Sequence, residues 1–132
     1  MSIHTDTAVR IMVIGRGRSI NDISTECYRR GCLVEHLLTC ESAWPILHQL
    51  SNAYAAVFVV NATENSNLLT FGLSHLVGNN RRFITLIANN FSAFNLDWLP
   101  NNPAILRLIQ EPYNIKEIHE VLNEVGIPSI GE

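Results

Sequence analysis

Charged side chains are scarce in this sequence, 16% of its 132 residues against 47% that are hydrophobic. The surface must therefore be largely neutral polar or apolar, with asparagine supplying part of it. The net charge is −3, and Lys and Arg are not gathered into a long stripe, which argues against broad nucleic-acid binding by this segment. A DNA-binding region elsewhere in a longer parent protein stays compatible with that. No stretch approaches the ~20 apolar residues that span a bilayer. The start, with Ser2, His4, Thr5, Asp6 and Thr7, lacks the charged-then-apolar layout of a secretory signal. Cys27, Cys32 and Cys40 show no CxxC spacing; they read as buried thiols in a reducing compartment, and a cytoplasmic location is expected. There is no internal repeat and no low-complexity tract. One domain is expected over residues 1–126, with 127–132 as the start of a linker or tail.

Five apolar runs alternate with helix-like segments. The first is Ala8 to Ile14, broken by Gly15-Arg16-Gly17-Arg18; Ser19 is placed to cap a helix carrying Ile20, Ile23, Cys27 and Tyr28, which Gly31 stops. The second run is Cys32 to Leu38. A helix over Glu41 to Asn52 follows, with Trp44, Leu47 and Leu50 at helical spacing and Pro45 expected in its first turn. The third run, Ala55 to Val60, is apolar on both faces and ends abruptly at Asn61. After a polar loop over Ala62 to Asn67, a helical face bears Leu68, Leu69, Leu73, Leu76 and Val77. Phe83 to Ala88 is the fourth run, and Asn89 to Asn102 is expected to hold a short or irregular helix. Ala104 to Ile109 is the fifth run, and the last helix, Asn114 to Val125, carries Ile115, Ile118, Leu122 and Val125 on one stripe. Continuous apolar strands between amphipathic helices predict a single doubly wound α/β domain. Its sheet is five-stranded and parallel, in order 2-1-3-4-5, with helices on both faces.

At the fifth run the pattern becomes specific. Leu106-Arg107-Leu108-Ile109-Gln110-Glu111-Pro112-Tyr113-Asn114 and the acidic amphipathic helix after it resemble the end of a response-regulator receiver domain. The resemblance covers nearly the whole chain in element order, but its chemical motifs match only in part. It implies a first strand ending in an acidic pair that holds magnesium, where this chain has Gly15 and Arg16. It implies a phospho-accepting Asp at Asn61, Ser or Thr at Ala88 (Asn89 if the register slips), Lys at Glu111 and a switch aromatic at Leu108. Only Pro112 survives, and with it the expectation of a cis Glu111–Pro112 peptide. The chain thus resembles a degenerate, or pseudo-, receiver domain, most like those beginning enhancer-binding transcription activators of the FleQ/FlrA type. That likeness implies a homodimer, and ATPase and DNA-binding domains downstream in the same chain.

Elementary chemistry points the same way. Magnesium needs hard oxygen ligands, and neither the first nor the third run ends in Asp or Glu. Arg16 and Arg18 instead bring positive charge, which repels a metal by an energy on the order of kcal/mol. Glu111 is expected to be drawn to them as an internal ion pair. No metal or other cofactor is expected.

Other features admit two readings. Arg16, Gly17, Arg18 and Ser19 could cradle an anion at a helix start, with cyclic di-GMP as the most interesting ligand; the plainer reading is a flexible turn with solvated arginines, since Ile20 stands where a dinucleotide fingerprint needs its third glycine. His36, His48, His75 and His119 are too scattered for a metal or catalytic cluster. Asn61 with Thr63 and Glu64 has no evident base, Ser19 lacks the nucleophile-elbow context, and Cys40 beside His36 or His48 reads more simply as a buried thiol. Trp98, Leu99, Tyr113, Ile115 and His119 form a candidate interface patch, unless Trp98 only plugs the sheet edge. The reading with most behind it is a non-catalytic regulatory or dimerisation domain, neither an enzyme nor membrane-bound and without direct nucleic-acid contact. The alternative is a flavodoxin-like small-molecule or nucleotide-binding module using the Gly15–Ser19 loop.

Overall fold

The computed structural model describes residues 8–50, 53–74, 83–92, 102 and 104–127. Its elements run β1 (Arg10–Ile14), α1 (Arg18–Arg29), β2 (Leu33–Leu37), α2 (Cys40–Leu50), β3 (Ala56–Val60), a 3₁₀ turn (Ala62–Asn65), α3 (Ser66–Ser74), β4 (Ile84–Ala88), β5 (Ile105–Gln110) and α4 (Ile115–Glu124). All strand pairs are parallel and the order is β2-β1-β3-β4-β5, as the run pattern predicts. The register is even except at the β4–β5 pair, where Ile84 pairs with Ile105 but Thr85 with Arg107. The irregularity leaves Leu106 as an extra residue in the edge strand.

β3 is buried along its whole length because both sheet faces are covered. Val57 and Val59 face one core with Met12, Ile14, Trp44, Leu47, Leu69, Leu73 and Leu86. Ala56, Phe58 and Val60 face the other, with Ile11, Val13, Ile20, Ile23, Ile109, Ile118 and Leu122. Side chains alternate across a strand, so five consecutive apolar residues feed two cores at once. Each fully buried large apolar side chain contributes about 1.5–3 kcal/mol, which makes this strand the centre of the fold.

Local chemistry sets the helix ends, and here the structure corrects several expectations. Gly17, not Ser19, is the N-cap of α1, and no side chain caps that end; Ser19 lies inside the first turn and is buried. Tyr28 lies off the apolar stripe and is 60% exposed. α2 starts at Cys40 because the Thr39 hydroxyl accepts from the Ser42 amide at 3.1 Å. That start moves Pro45 past the first turn into the helix interior, where its exposed position lets water reach the carbonyl its missing N–H leaves unpaired. The expected polar loop after β3 winds instead into the 3₁₀ turn and the first residues of α3. In α4 an Asn114–Glu117 capping box fixes the start. Val121 joins Ile118 and Leu122 in the core, while Ile115 is 40% exposed. The packed fold extends to Ile127, 3% exposed. Most of the expected segment Asn89 to Asn102, with Leu76 and Val77, lies outside the described residues.

Candidate functional site

In an open α/β sheet, ligands bind beyond the carboxyl ends of the strands where the strand order reverses. Here that point lies between β1 and β3, so Gly15 and Asn61 face each other across it. Gly15 takes φ +119°, and a Cβ there would stand 2.6 Å from the Val60 carbonyl oxygen. Only glycine satisfies both constraints. Its amide donates to the Leu37 carbonyl at 2.9 Å, and its carbonyl lies 2.7 Å from His36 Nε2. That contact assigns His36 a proton on Nε2 and a structural task. Asn61 sits in the left-handed region at φ +59°, which asparagine tolerates better than most residues. Its Nδ2 donates to the Arg16 carbonyl at 2.9 Å. The Asn61 amide therefore staples the β1 loop to the end of β3.

The other two strand ends are joined by backbone: the Glu111 amide donates to the Ala88 carbonyl at 2.8 Å, and Glu111–Pro112 is cis, as expected. The carboxylate of Glu111 departs from expectation. It accepts from the Ser19 hydroxyl at 2.5 Å, and among the described residues it forms no ion pair with Arg16 or Arg18. A buried hydroxyl on the facing turn of α1 is a nearer partner than either exposed guanidinium. Beside it the Tyr113 hydroxyl donates to Asp22 at 3.3 Å. Burial raises the Tyr113 phenol above its usual range, partly offset by its contact with Ser19.

Two clefts open at this end of the sheet. One of about 260 Å³ is lined by Gly15, Arg16, Leu38, Thr39, Val60, Asn61 and Glu64. The second, about 490 Å³, is lined by Arg18, Ser19, Asp22, Asn89, Glu111, Pro112 and Tyr113. The four residues read as an anion cradle are thus divided: Arg16 serves the first cleft, Arg18 and Ser19 the second. Among the described residues, no three His, Cys, Asp or Glu side chains gather where they could hold a metal. Burial pushes the Cys27 and Cys40 thiols up to about 12, with Cys32 adding to the effect at Cys27. Leu108, where a switch aromatic was expected, is 40% exposed on β5.

Of the interface candidates, Trp98 and Leu99 lie outside the described residues. Tyr113 is half-buried and turned to Asp22, Ile115 is exposed, and His119 points across to α1, its Nε2 3.1 Å from Glu26 Oε1. Ile115 and His119 stand one turn apart on α4. Two groupings went unread in the sequence. Glu26 and Arg30, one turn apart on α1, form a buried pair at 3.1 Å; their spacing is a legible ion-pair signal. Trp44 packs on Gly72, where a Cβ would come within 2.2 Å of the indole. A glycine inside a helical pattern signals such close packing.

Against this geometry stand the comparisons. No protein-family model matches the chain, and no curated protein sequence matches it. Solved structures do. The receiver domain of the sensor histidine kinase PA1611 from Pseudomonas aeruginosa PAO1, with magnesium coordinated in its active-site cleft, superposes at TM-score 0.63 and 13% identity, covering 91% of this chain and 99% of that one. The fold is that of receiver domains. NtrX from Brucella abortus in complex with ATP gives TM-score 0.61 and 15% identity over 90% of this chain. The chain spans only 26% of NtrX. The lysine decarboxylase LdcF from Francisella novicida gives TM-score 0.63 at 12% identity, covering 89% of this chain and 17% of that one. An enzyme carrying the same fold shows why architecture alone assigns no activity. Among the described residues no helix is long and apolar enough to cross a membrane.

Proposed function

We propose that the chain is a phosphorylation-incompetent receiver-like module, a non-catalytic regulatory domain at the N-terminus of a bacterial transcription regulator. One observation carries the reading: Asn61 binds the Arg16 backbone at 2.9 Å, so the position of the phospho-acceptor is occupied by a fastening, with Gly15 and Arg16 in place of an acidic pair. An amide neither accepts a phosphoryl group nor holds magnesium as a carboxylate does. The surrounding departures agree with it: β4 ends in Ala88, and Glu111 is turned to Ser19. Regulation then rests on contacts made by the outside of the domain, with a second copy of the chain and with ATPase and DNA-binding domains further along it. NtrX, three-quarters of which lies beyond the matched part, supports a multidomain context.

Incubation with acetyl phosphate and magnesium, followed by intact-mass measurement, tests the central claim. No phosphoryl adduct is expected, and a stable aspartyl phosphate would sink the reading. A second reading draws on the cleft of about 260 Å³ at the strand-order reversal, lined by Arg16, Thr39 and Asn61. Its occupant would be a small anionic ligand, and cyclic di-GMP is the nucleotide to try first. Calorimetry that registers no heat with that nucleotide removes it for this domain.

A further inference from the structure

We propose that the face made by α2 and α3 is where two copies of this chain pair, related by a two-fold axis. The proposal rests on the reading that the domain contacts a second copy, and it names the face. α2 and α3 lie side by side. Trp44 Nε1 donates to the Leu68 carbonyl at 2.7 Å, and His48 Nε2 lies 3.2 Å from the Gly72 carbonyl. The Trp44 indole packs so close over Gly72 that no side chain fits between them. The face is therefore fixed before a partner arrives, and little ordering is left to oppose association. Between the helices opens a cleft of about 530 Å³, walled by Trp44, Pro45 and His48 from α2 and by Leu68 and Phe71 from α3. At its edge Phe71 is 61% exposed, and Leu68, one turn earlier, is 40% exposed.

Two features select a second copy as the occupant. The first is charge. The chain carries a net charge of −3, so two copies repel unless they meet on a neutral face. α1 and α4 each carry four Asp, Glu, Lys or Arg side chains. In α2 and α3 together Glu41 is the one acidic residue, and neither helix has Lys or Arg. Depletion of charge together with aromatic side chains marks the centre of an interface. A strongly acidic or basic partner finds nothing here to pair with. The second feature is shape. One patch holds both the projecting Phe71 and, beside it, an apolar cleft. A two-fold axis sets each ring over the other copy's cleft, the self-complementary arrangement of a closed dimer. Helices of 11 and 9 residues present a face of roughly 16 by 20 Å. Two such faces bury on the order of 1,000 Å² in total, the low end for a specific pair. The dimer is thus expected to be reversible, with a dissociation constant in the micromolar range.

Sedimentation equilibrium of the 132-residue chain over about 10–500 µM, the range in which so small an interface assembles, tests the face. The wild type is expected to pass from monomer to dimer. Phe71→Glu, at an exposed position and checked for its fold by circular dichroism, should weaken the dimer by at least about tenfold, because a carboxylate then enters an apolar cleft. Should that variant fail to fold, Pro45→Lys on the facing wall takes its place with the same expectation. Ile115→Glu, on α4 and 40% exposed, lies outside this face and should leave the dimer unchanged. A wild type that pairs while Phe71→Glu pairs equally well overturns the choice of face and leaves the second copy standing. A dimer lost only in Ile115→Glu places the contact on α4 and overturns it too. A wild type that stays monomeric at every concentration removes both the face and the second-copy reading beneath it.

Discussion

The hydroxyl of Ser19 donates to the carboxylate of Glu111 at 2.5 Å, across 92 positions of sequence. Here the residue that follows β5 is held by the first turn of α1. The link joins α1 to the β5–α4 connection and closes one side of the strand-end region. Ser19 is buried and the bond is partly shielded from water.

Ser19→Ala should therefore destabilise the chain by about 1–2 kcal/mol, the range for a hydrogen bond to a charged group that is partly shielded. Glu111→Gln, which keeps an acceptor, should cost less. Chemical denaturation of both variants checks the order. Equal stability of Ser19→Ala and wild type would show that the contact contributes nothing.

On the proposed reading, Asn61→Asp should not make the chain a phospho-acceptor. The substitution supplies a carboxylate, but Gly15 and Arg16 still give magnesium none beside it. It also replaces the donor that binds the Arg16 carbonyl at 2.9 Å with an acceptor, so two oxygens then face each other. Because the bond is exposed, a loss of about 0.5–1.5 kcal/mol is expected. Intact-mass measurement after acetyl phosphate and magnesium, with a thermal melt, reads both outcomes.

The division between what the residues announce and what they hide has a physical basis. Five apolar runs with helical stripes between them specify the sheet and its order, because burial on two faces leaves an unbroken run such as Ala56 to Val60 and right-handed crossovers restrict the topology. The strand ends were legible too, since Gly15, Asn61 and Ala88 each stand where a run breaks. Side-chain partners across long separations were not. Opposite charge favours Glu111 with Arg16 or Arg18, but the turn of α1 presents a buried hydroxyl nearer by. The cap of α1 was misplaced because Gly17, at φ +117°, ends the loop by conformation without any side-chain bond.

Gly72→Ala should be costly for the same reason of proximity. Its added methyl would meet the Trp44 indole at 2.2 Å, while Trp44 Nε1 donates to the Leu68 carbonyl at 2.7 Å and the ring stacks on His48. Overpacking of this kind costs about 1–3 kcal/mol; truncating the ring in Trp44→Ala costs about 3–5 kcal/mol. The double variant should lose less than the sum, because the alanine then meets a cavity. Additive losses would show that α2 and α3 do not meet through this pair.

The buried pair on α1 governs stability toward acid. Burial alone would raise the Glu26 carboxyl, but the hydrogen bond from Arg30, the nearby His119 and the charge of Arg29 hold it below the ordinary value of 4.5. Folded Glu26 thus binds its proton less readily than the unfolded chain does. Its contribution is fully present above that ordinary value and is lost as pH falls through the lower folded one. Arg30→Met leaves the carboxylate buried without its main partner and frees Asn123 and Ile127, to which the guanidinium donates, a change worth about 3–5 kcal/mol. The variant should also protonate Glu26 at higher pH, so its acid unfolding begins nearer neutrality than that of the wild type. Circular dichroism followed from neutral pH downward shows this as an earlier midpoint. An Arg30→Met chain that unfolds at the wild-type pH would mean that the guanidinium does not hold the α1–α4 seam.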